Sequence, residues 1–134
     1  MKFHLHCVPP KSTHQSSLRV LKIGNHYSIG KSKKGQDVQN SLMTLLHPYA
    51  PEQPLTGALK LNVKWVYPYR KSEPKKNRTG LIPCTTKPDI DNLSKFLCDC
   101  LTRLGFWTDD SLVYSLSFEK YWGDDIGIFI EITD

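Results

Sequence analysis

Long apolar runs are missing from this chain of 134 residues. No stretch of about 18 apolar residues occurs, so a membrane-spanning helix is not expected. The opening residues, MKFHLHCVPPK, hold no extended apolar segment and no small-residue cleavage site, so a secretory leader is not expected there either. Cysteine is scarce. Cys7, Cys84, Cys98 and Cys100 form no C-x-x-C pair and are too irregular for a disulfide framework. The expectation is a reduced, soluble, cytoplasmic protein. Cysteines and histidines also lack zinc-ligand spacing. His4 and His6 share one face of a short first strand, where solvated side chains explain them better than a metal would. Neither an internal repeat nor a linker is present, and the length suits one domain.

Acidic residues are nearly absent from the first two thirds. Residues 1–88 carry fifteen Lys/Arg and only three Asp/Glu, whereas residues 89–134 carry three Lys/Arg and ten Asp/Glu. The net charge of +5 and pI near 9.0 conceal this division. A basic part attracts polyanions. An acidic cluster in the same small protein repels phosphate unless a cation neutralises it, and divalent metal ions do so. Segregated, solvated surface charge is the plainer alternative.

The periodicities predict a mixed α/β chain of the α+β type. Phe3, Leu5 and Cys7 alternate before Pro9-Pro10 ends the first strand. SSLRVLKIGNHYSIG reads as a hairpin turning at Gly24-Asn25. Within it, GNHYSIGKS resembles a phosphate-binding loop but has five residues, not four, between the first Gly and the Gly-Lys pair, so a nucleotide site is not expected. Val38, Leu42, Leu45, Leu46 and Tyr49 recur at helical spacing up to Pro48. Leu59, Leu61, Val63, Trp65 and Tyr67 alternate with Lys60, Asn62 and Lys64, the mark of a half-buried strand.

Residues 68–88 hold four prolines and a concentration of basic side chains, so they read as a long, basic, functional loop. Leu93, Phe96, Leu97, Cys100, Leu101 and Leu104 give a second helix from about Asp91 to Leu104, stopped by Gly105. Leu112 to Phe118 and Ile126 to Ile132 then alternate around a Gly123-Asp124-Asp125 turn, which predicts an antiparallel final pair. The expected architecture is one small domain over 1–134. Its mixed β-sheet carries two main helices, in the order strand, hairpin, helix, strand, helix, strand, strand.

Chemistry concentrates at the second helix. Asp89 and Asp91 flank Ile90 at its start, and Lys95 follows Asp91 by four residues, which makes them neighbours on a helix. N-capping accounts for Asp91 but not for Asp89. Lysine is electrostatically out of place in a first turn, so Lys95 hints at a nearby acidic cluster or a phosphate. Asp109-Asp110 precede the next strand. Two or three carboxylates suffice for Mg²⁺, which takes oxygen ligands and keeps several waters. If Asp110 joins Asp91, the chain must double back at Gly105 and the following strand must start beside the helix N-terminus. Spacing alone leaves a solvated acidic surface open.

The run Lys87-Pro88-Asp89-Ile90-Asp91-Asn92-Leu93-Ser94-Lys95, with Phe106-Trp107-Thr108-Asp109-Asp110-Ser111 downstream, strongly resembles the RusA family of Holliday junction resolvases. That family has D-x-D-N-L-x-K opening a helix and an aromatic-containing D-D stretch before the next strand. Pro9-Pro10 after the first strand and Gly35-Gln36 before the first helix are collinear with it. The resemblance implies metal-binding aspartates at Asp89, Asp91 and Asp110 and a catalytic lysine at Lys95. It also implies a homodimer, of the kind often found in phages and prophages, that uses Mg²⁺ or Mn²⁺ to nick two opposed strands of a four-way DNA junction in recombination and repair. For the basic loop, Lys71, Lys75, Lys76, Arg78 and Lys87 are the expected DNA contacts, to phosphates rather than bases. Two alternatives are a non-catalytic protein that binds branched DNA and a phosphoesterase for a small substrate. The intact acidic set speaks against the first, and the wide basic field against the second.

Overall fold

The computed structural model describes residues 1–12, 19–20 and 37–134. The predicted Gly24-Asn25 turn, the loop-like GNHYSIGKS segment and Gly35-Gln36 lie outside the described residues. Strand β1 is Lys2–Leu5, β2 Cys7–Val8 and β3 Arg19–Val20, with β2 and β3 forming a small antiparallel pair of their own. Helix α1 (Asp37–Leu46) runs into a 3-10 turn, His47–Tyr49, that contains Pro48. Strand β4 (Leu59–Pro68), short β5 (Ile82–Pro83), helix α2 (Ile90–Arg103), β6 (Val113–Gly123) and β7 (Gly127–Thr133) complete the chain.

Five strands form one mixed sheet in the order β1-β7-β4-β6-β5. Only β4 and β6 are parallel; β4 meets β7, β7 meets β1 and β6 meets β5 antiparallel. The fold class and the two helices are therefore as the sequence predicts. The final strand pair is not: β6 and β7 run in opposite directions but are not neighbours, because β4 lies between them. The reason is burial. Leu61, Val63 and Trp65 of β4 are almost fully buried, and they fit between Ile128, Ile130 and Ile132 of β7 and the inward side of β6. Such an apolar strand belongs in the middle of a sheet. The short turn at Gly123-Asp124-Asp125 reverses the chain without making a hairpin.

One face of the sheet carries the core. Phe3, Leu5, Leu61, Val63, Trp65 and Ile130 meet Val38, Leu42 and Leu46 of α1 and Leu93, Leu97, Cys100 and Leu101 of α2 in a single cluster. Between the helices, the Arg103 guanidinium donates to Gln39 Oε1 at 3.1 Å. Helix α2 ends in a Schellman turn: Phe106 N–H donates to Leu101 O and Gly105 N–H to Thr102 O, with Gly105 at φ +79°. Trp107 then buries its ring and donates from Nε1 to Thr102 Oγ1 at 2.7 Å, which fastens the returning chain to the helix.

Residues 68–88 are more ordered than a mobile loop. Arg70 O accepts from Glu73 N–H, residues 75–77 form a 3-10 turn, and β5 pairs with the end of β6.

Candidate metal and nucleic-acid site

Helix α2 presents its acidic start to solvent. Asp89 occupies the N-cap position in extended conformation (φ −71°, ψ 147°), yet its side chain makes no capping hydrogen bond. Asp91 lies inside the first turn, so the cap function that could have explained Asp91 does not belong to it. Both carboxylates and Lys95 are exposed. Among the described residues, none of these three side chains has a hydrogen-bond or ion-pair partner. Asp91 and Lys95 thus do not neutralise each other, and two anions and one cation stand open at the start of the helix.

The segment leading into this start is held from the sheet. Lys120, near the end of β6, donates from Nζ to Thr86 O at 2.6 Å and to Pro88 O at 2.7 Å. These bonds tie the backbone just before Asp89 to the sheet's central parallel strands. The Lys87-Pro88 peptide between them is cis. Sequence reasoning missed Lys120; its only signal was a cation on the inward side of an otherwise apolar alternation.

Asp110 is differently placed. It opens a 3-10 turn, Asp110–Leu112, whose N-cap is Asp109. Ser111 N–H donates to Asp109 Oδ1 at 2.8 Å and holds that carboxyl below the usual range. That gives Asp109 a structural job. Asp110 lies close enough to Cys98 to add to its raised pKa: burial first, then Asp110 and Asp99, push the thiol up to about 11. Cys98 falls seven residues after Asp91 and on the same stripe of α2, about two turns or roughly 10 Å away.

Asp110 therefore lies on the Cys98 side of α2. The requirement that the strand after Gly105 start beside the helix N-terminus is not met within one chain. Strand β6 starts by the later half of α2 and ends, at Lys120, by its beginning, because β6 is parallel to β4. Among the described residues, no three of His, Cys, Asp or Glu converge closely enough to hold a metal ion. The donor chemistry suits a hard cation, but one chain leaves the set open. His4 and His6 do stack against each other with ring centroids 4.1 Å apart, but His4 Nε2 is occupied with Ile126 O at 3.2 Å and its ring lies on Phe129.

The expected DNA contacts divide in two. Lys71, Lys75, Lys76 and Lys87 are exposed. Arg78 is half-buried and donates to Glu73 O at 3.0 Å and to Arg70 O at 3.2 Å, so it staples the loop rather than extending from it. A cleft of about 530 Å³ is lined by Lys11, Arg70, Lys71 and Lys87, the last of these two residues before Asp89 in the chain, with the rings of Tyr69 and Trp122. The Arg70 guanidinium lies 4.0 Å from the centroid of the Trp122 ring. Cations interleaved with aromatics suit a nucleic-acid backbone and its bases. Lys11 and Arg70 were not among the residues singled out from the sequence. Arg70 adjoins Lys71 in the same basic run, but the distant Lys11 is brought there by the fold alone.

The family model described as endodeoxyribonuclease RusA matches residues 8–133. An uncharacterized protein, YqaN, of Bacillus subtilis (strain 168) is 33% identical over 92 residues, which cover 64% of each chain. A crossover junction endodeoxyribonuclease of Lactococcus phage r1t is 42% identical over 50 residues, 37% of this chain and 38% of the phage protein. The matched segments span less than two thirds of either relative. Among the described residues, no helix is long and apolar enough to cross a membrane.

Proposed function

This chain belongs to the endodeoxyribonuclease RusA family, and from that premise we propose that it is a divalent-metal-dependent endonuclease. Its substrate is a four-way DNA junction, which it resolves by paired nicks in recombination and repair. The observation that carries the reading is the start of α2, where Asp89, Asp91 and Lys95 stand exposed and unpartnered among the described residues, directly after a segment whose Thr86 and Lys87 line a basic, aromatic cleft.

Asp89, Asp91 and Asp110 are the residues that would hold Mg²⁺ or Mn²⁺, since all three offer hard oxygen donors. Such an ion, when bound, supplies Lewis acidity and a more acidic water. Lys95 sets an ammonium one turn from Asp91, where it offsets charge that builds on a phosphate during cleavage. Lys71, Lys75, Lys76 and Lys87, with Arg70 and Lys11 in the cleft, hold the flanking backbone by charge. Among the described residues no three such donors converge within one chain, which favours a site completed by a second copy. A homodimer also suits the substrate, whose near two-fold symmetry calls for two matched sites.

The test uses a labelled four-way junction, the matching linear duplex and a small phosphodiester, each with and without Mg²⁺. Symmetric nicks on the junction alone, and only with metal, are expected. Junction binding without cleavage under any divalent ion would make the chain a DNA-structure-binding protein, and hydrolysis of the small diester a phosphoesterase. Either result overturns the proposal.

A further inference from the structure

The basic cleft contains a stacked pair with one side left open. Trp122 is 6% exposed and is fixed in β6 between Tyr67 of β4 and Ile82 of β5. The guanidinium of Arg70 lies over its ring, 4.0 Å from the centroid. Glu73 Oε1 stands 3.6 Å from Nη2 of the same group, yet the Arg70 side chain stays 47% exposed. The indole covers the guanidinium on one side, so its exposure falls on the side turned away from Trp122.

The backbone that carries this pair is clamped. Arg70 O accepts from Glu73 N–H at 3.0 Å and from Arg78 Nη2 at 3.2 Å, and Arg78 Nε donates to Glu73 O at 3.0 Å. Elsewhere in the lining, the Tyr67 hydroxyl donates to Pro10 O at 2.7 Å and fixes the chain just before Lys11. A guanidinium held in this way has little freedom left to lose when a ligand meets it.

The lining selects the occupant by its chemistry. Lys11, Arg70, Lys71 and Lys87 bring four cations, and among the described residues no carboxylate lines the cleft. Ammonium groups select an anion. A guanidinium plane backed by an indole selects a flat, delocalised group. A nucleotide carries both. Its base must be unpaired, because a base inside a duplex has both faces covered. At about 530 Å³ the cleft has the size that encloses a small organic group, not a double helix. The opposite face of the sheet has a larger hollow of about 770 Å³, but Glu119, Asp124, Asp125 and Glu131 outnumber Lys2 and Lys64 there, so it repels phosphate.

We propose that this cleft takes one unpaired nucleotide, its phosphate on Lys11, Lys71 and Lys87 and its base stacked on the open side of the Arg70 guanidinium. Arg70 thus recognises an opened base and is not only a source of charge. The place of that nucleotide in the substrate rests on the endonuclease reading above. Two peptide links separate Lys87 from Asp89, at most about 7 Å between Cα atoms. The nucleotide in the cleft is therefore close to the phosphate that meets the carboxylates. Base pairs at a branch point have an interrupted stack, and a base opens most cheaply where stacking and pairing are already weak. The cleft thereby favours a junction over a linear duplex, by holding a base that the duplex keeps covered.

Two short single strands separate stacking from charge. One is oligothymidylate; the other is an abasic sugar–phosphate strand of the same length. Dissociation constants are read by fluorescence anisotropy on the full-length protein in EDTA at fixed salt. The parent should bind the thymidylate strand about tenfold more tightly, the effect of one stacked base. Arg70→Lys keeps the charge and loses the plane. It should bind the two strands within about twofold of each other, with unchanged abasic affinity and an unchanged circular dichroism spectrum. Lys71→Ala should weaken both strands alike and keep their ratio. Equal affinity of the parent for the two strands would overturn the proposal, as would a ratio that survives in Arg70→Lys or one that Lys71→Ala abolishes. A parent that cuts junctions but does not distinguish the strands would remove the cleft assignment and leave the endonuclease reading standing. A tenfold ratio, lost in Arg70→Lys, in a protein that cuts no junction would do the reverse.

Discussion

Replacing Asp91 with Asn separates chemistry from folding, and the structure sets the size of each effect. Asp91 lies in the first turn of α2, is exposed and makes no side-chain hydrogen bond among the described residues. Its contribution to stability reduces to a carboxylate near a helix N-terminus, about 0.3–1 kcal/mol. With an unfolding entropy of about 2.1 cal/mol/K per residue, a chain of this length loses roughly 1–4 °C of Tm. Cleavage is a different scale. If Asp91 holds metal, the rate should fall at least about 100-fold, which is about 2.7 kcal/mol of barrier. Junction binding in the presence of Ca²⁺ should persist or tighten, since one negative charge fewer faces the phosphates. The assay is the single-turnover cleavage rate on a four-way junction at saturating enzyme, beside a melting curve and a binding isotherm. Asp89→Asn should behave alike, because Asp89 occupies the cap position without making the cap bond. A folded Asp91→Asn protein that binds the junction and cuts it within a few-fold of the parent would refute the ligand assignment.

Other outcomes follow from named contacts. Lys75→Ala with Lys76→Ala should lower the slope of log binding constant against log salt by roughly one to two units, and an unchanged slope would rule out phosphate contact at both. Gly105→Ala should cost about 1–2 kcal/mol, because φ is +79° there and the Schellman turn admits no other conformation; calorimetry should show a Tm lower by about 4–7 °C. Cys98, pushed up to about 11, should alkylate slowly at pH 8 in the native protein. Asp110→Asn should speed that alkylation, because one negative charge fewer opposes the thiolate; no change would place Asp110 away from the Cys98 stripe.

Short-range pattern along the chain determines much of this protein. The alternation of Leu59 to Tyr67 could only be a half-buried strand, and Leu93 to Leu104 could only be a helix stripe, because side-chain period and burial are local properties. Spacing within one helix is local too, so Asp89, Asp91 and Lys95 were legible as a group. Pairing is not local. Alternation in β6 and β7 predicted two strands and even their opposite directions, but not that β4 would separate them, since a turn of three residues looks the same whether or not its flanks hydrogen-bond. For the same reason the height of Asp110 along α2 was out of reach: it depends on β6 running parallel to β4, a choice made by which apolar faces bury best together. Lys11 meets Arg70 and Lys87, and Lys120 meets Pro88, only because distant segments share one end of the sheet. Charge and periodicity decided what kind of parts the chain would make; the packing of Leu61, Val63 and Trp65 into the middle of the sheet decided where those parts met.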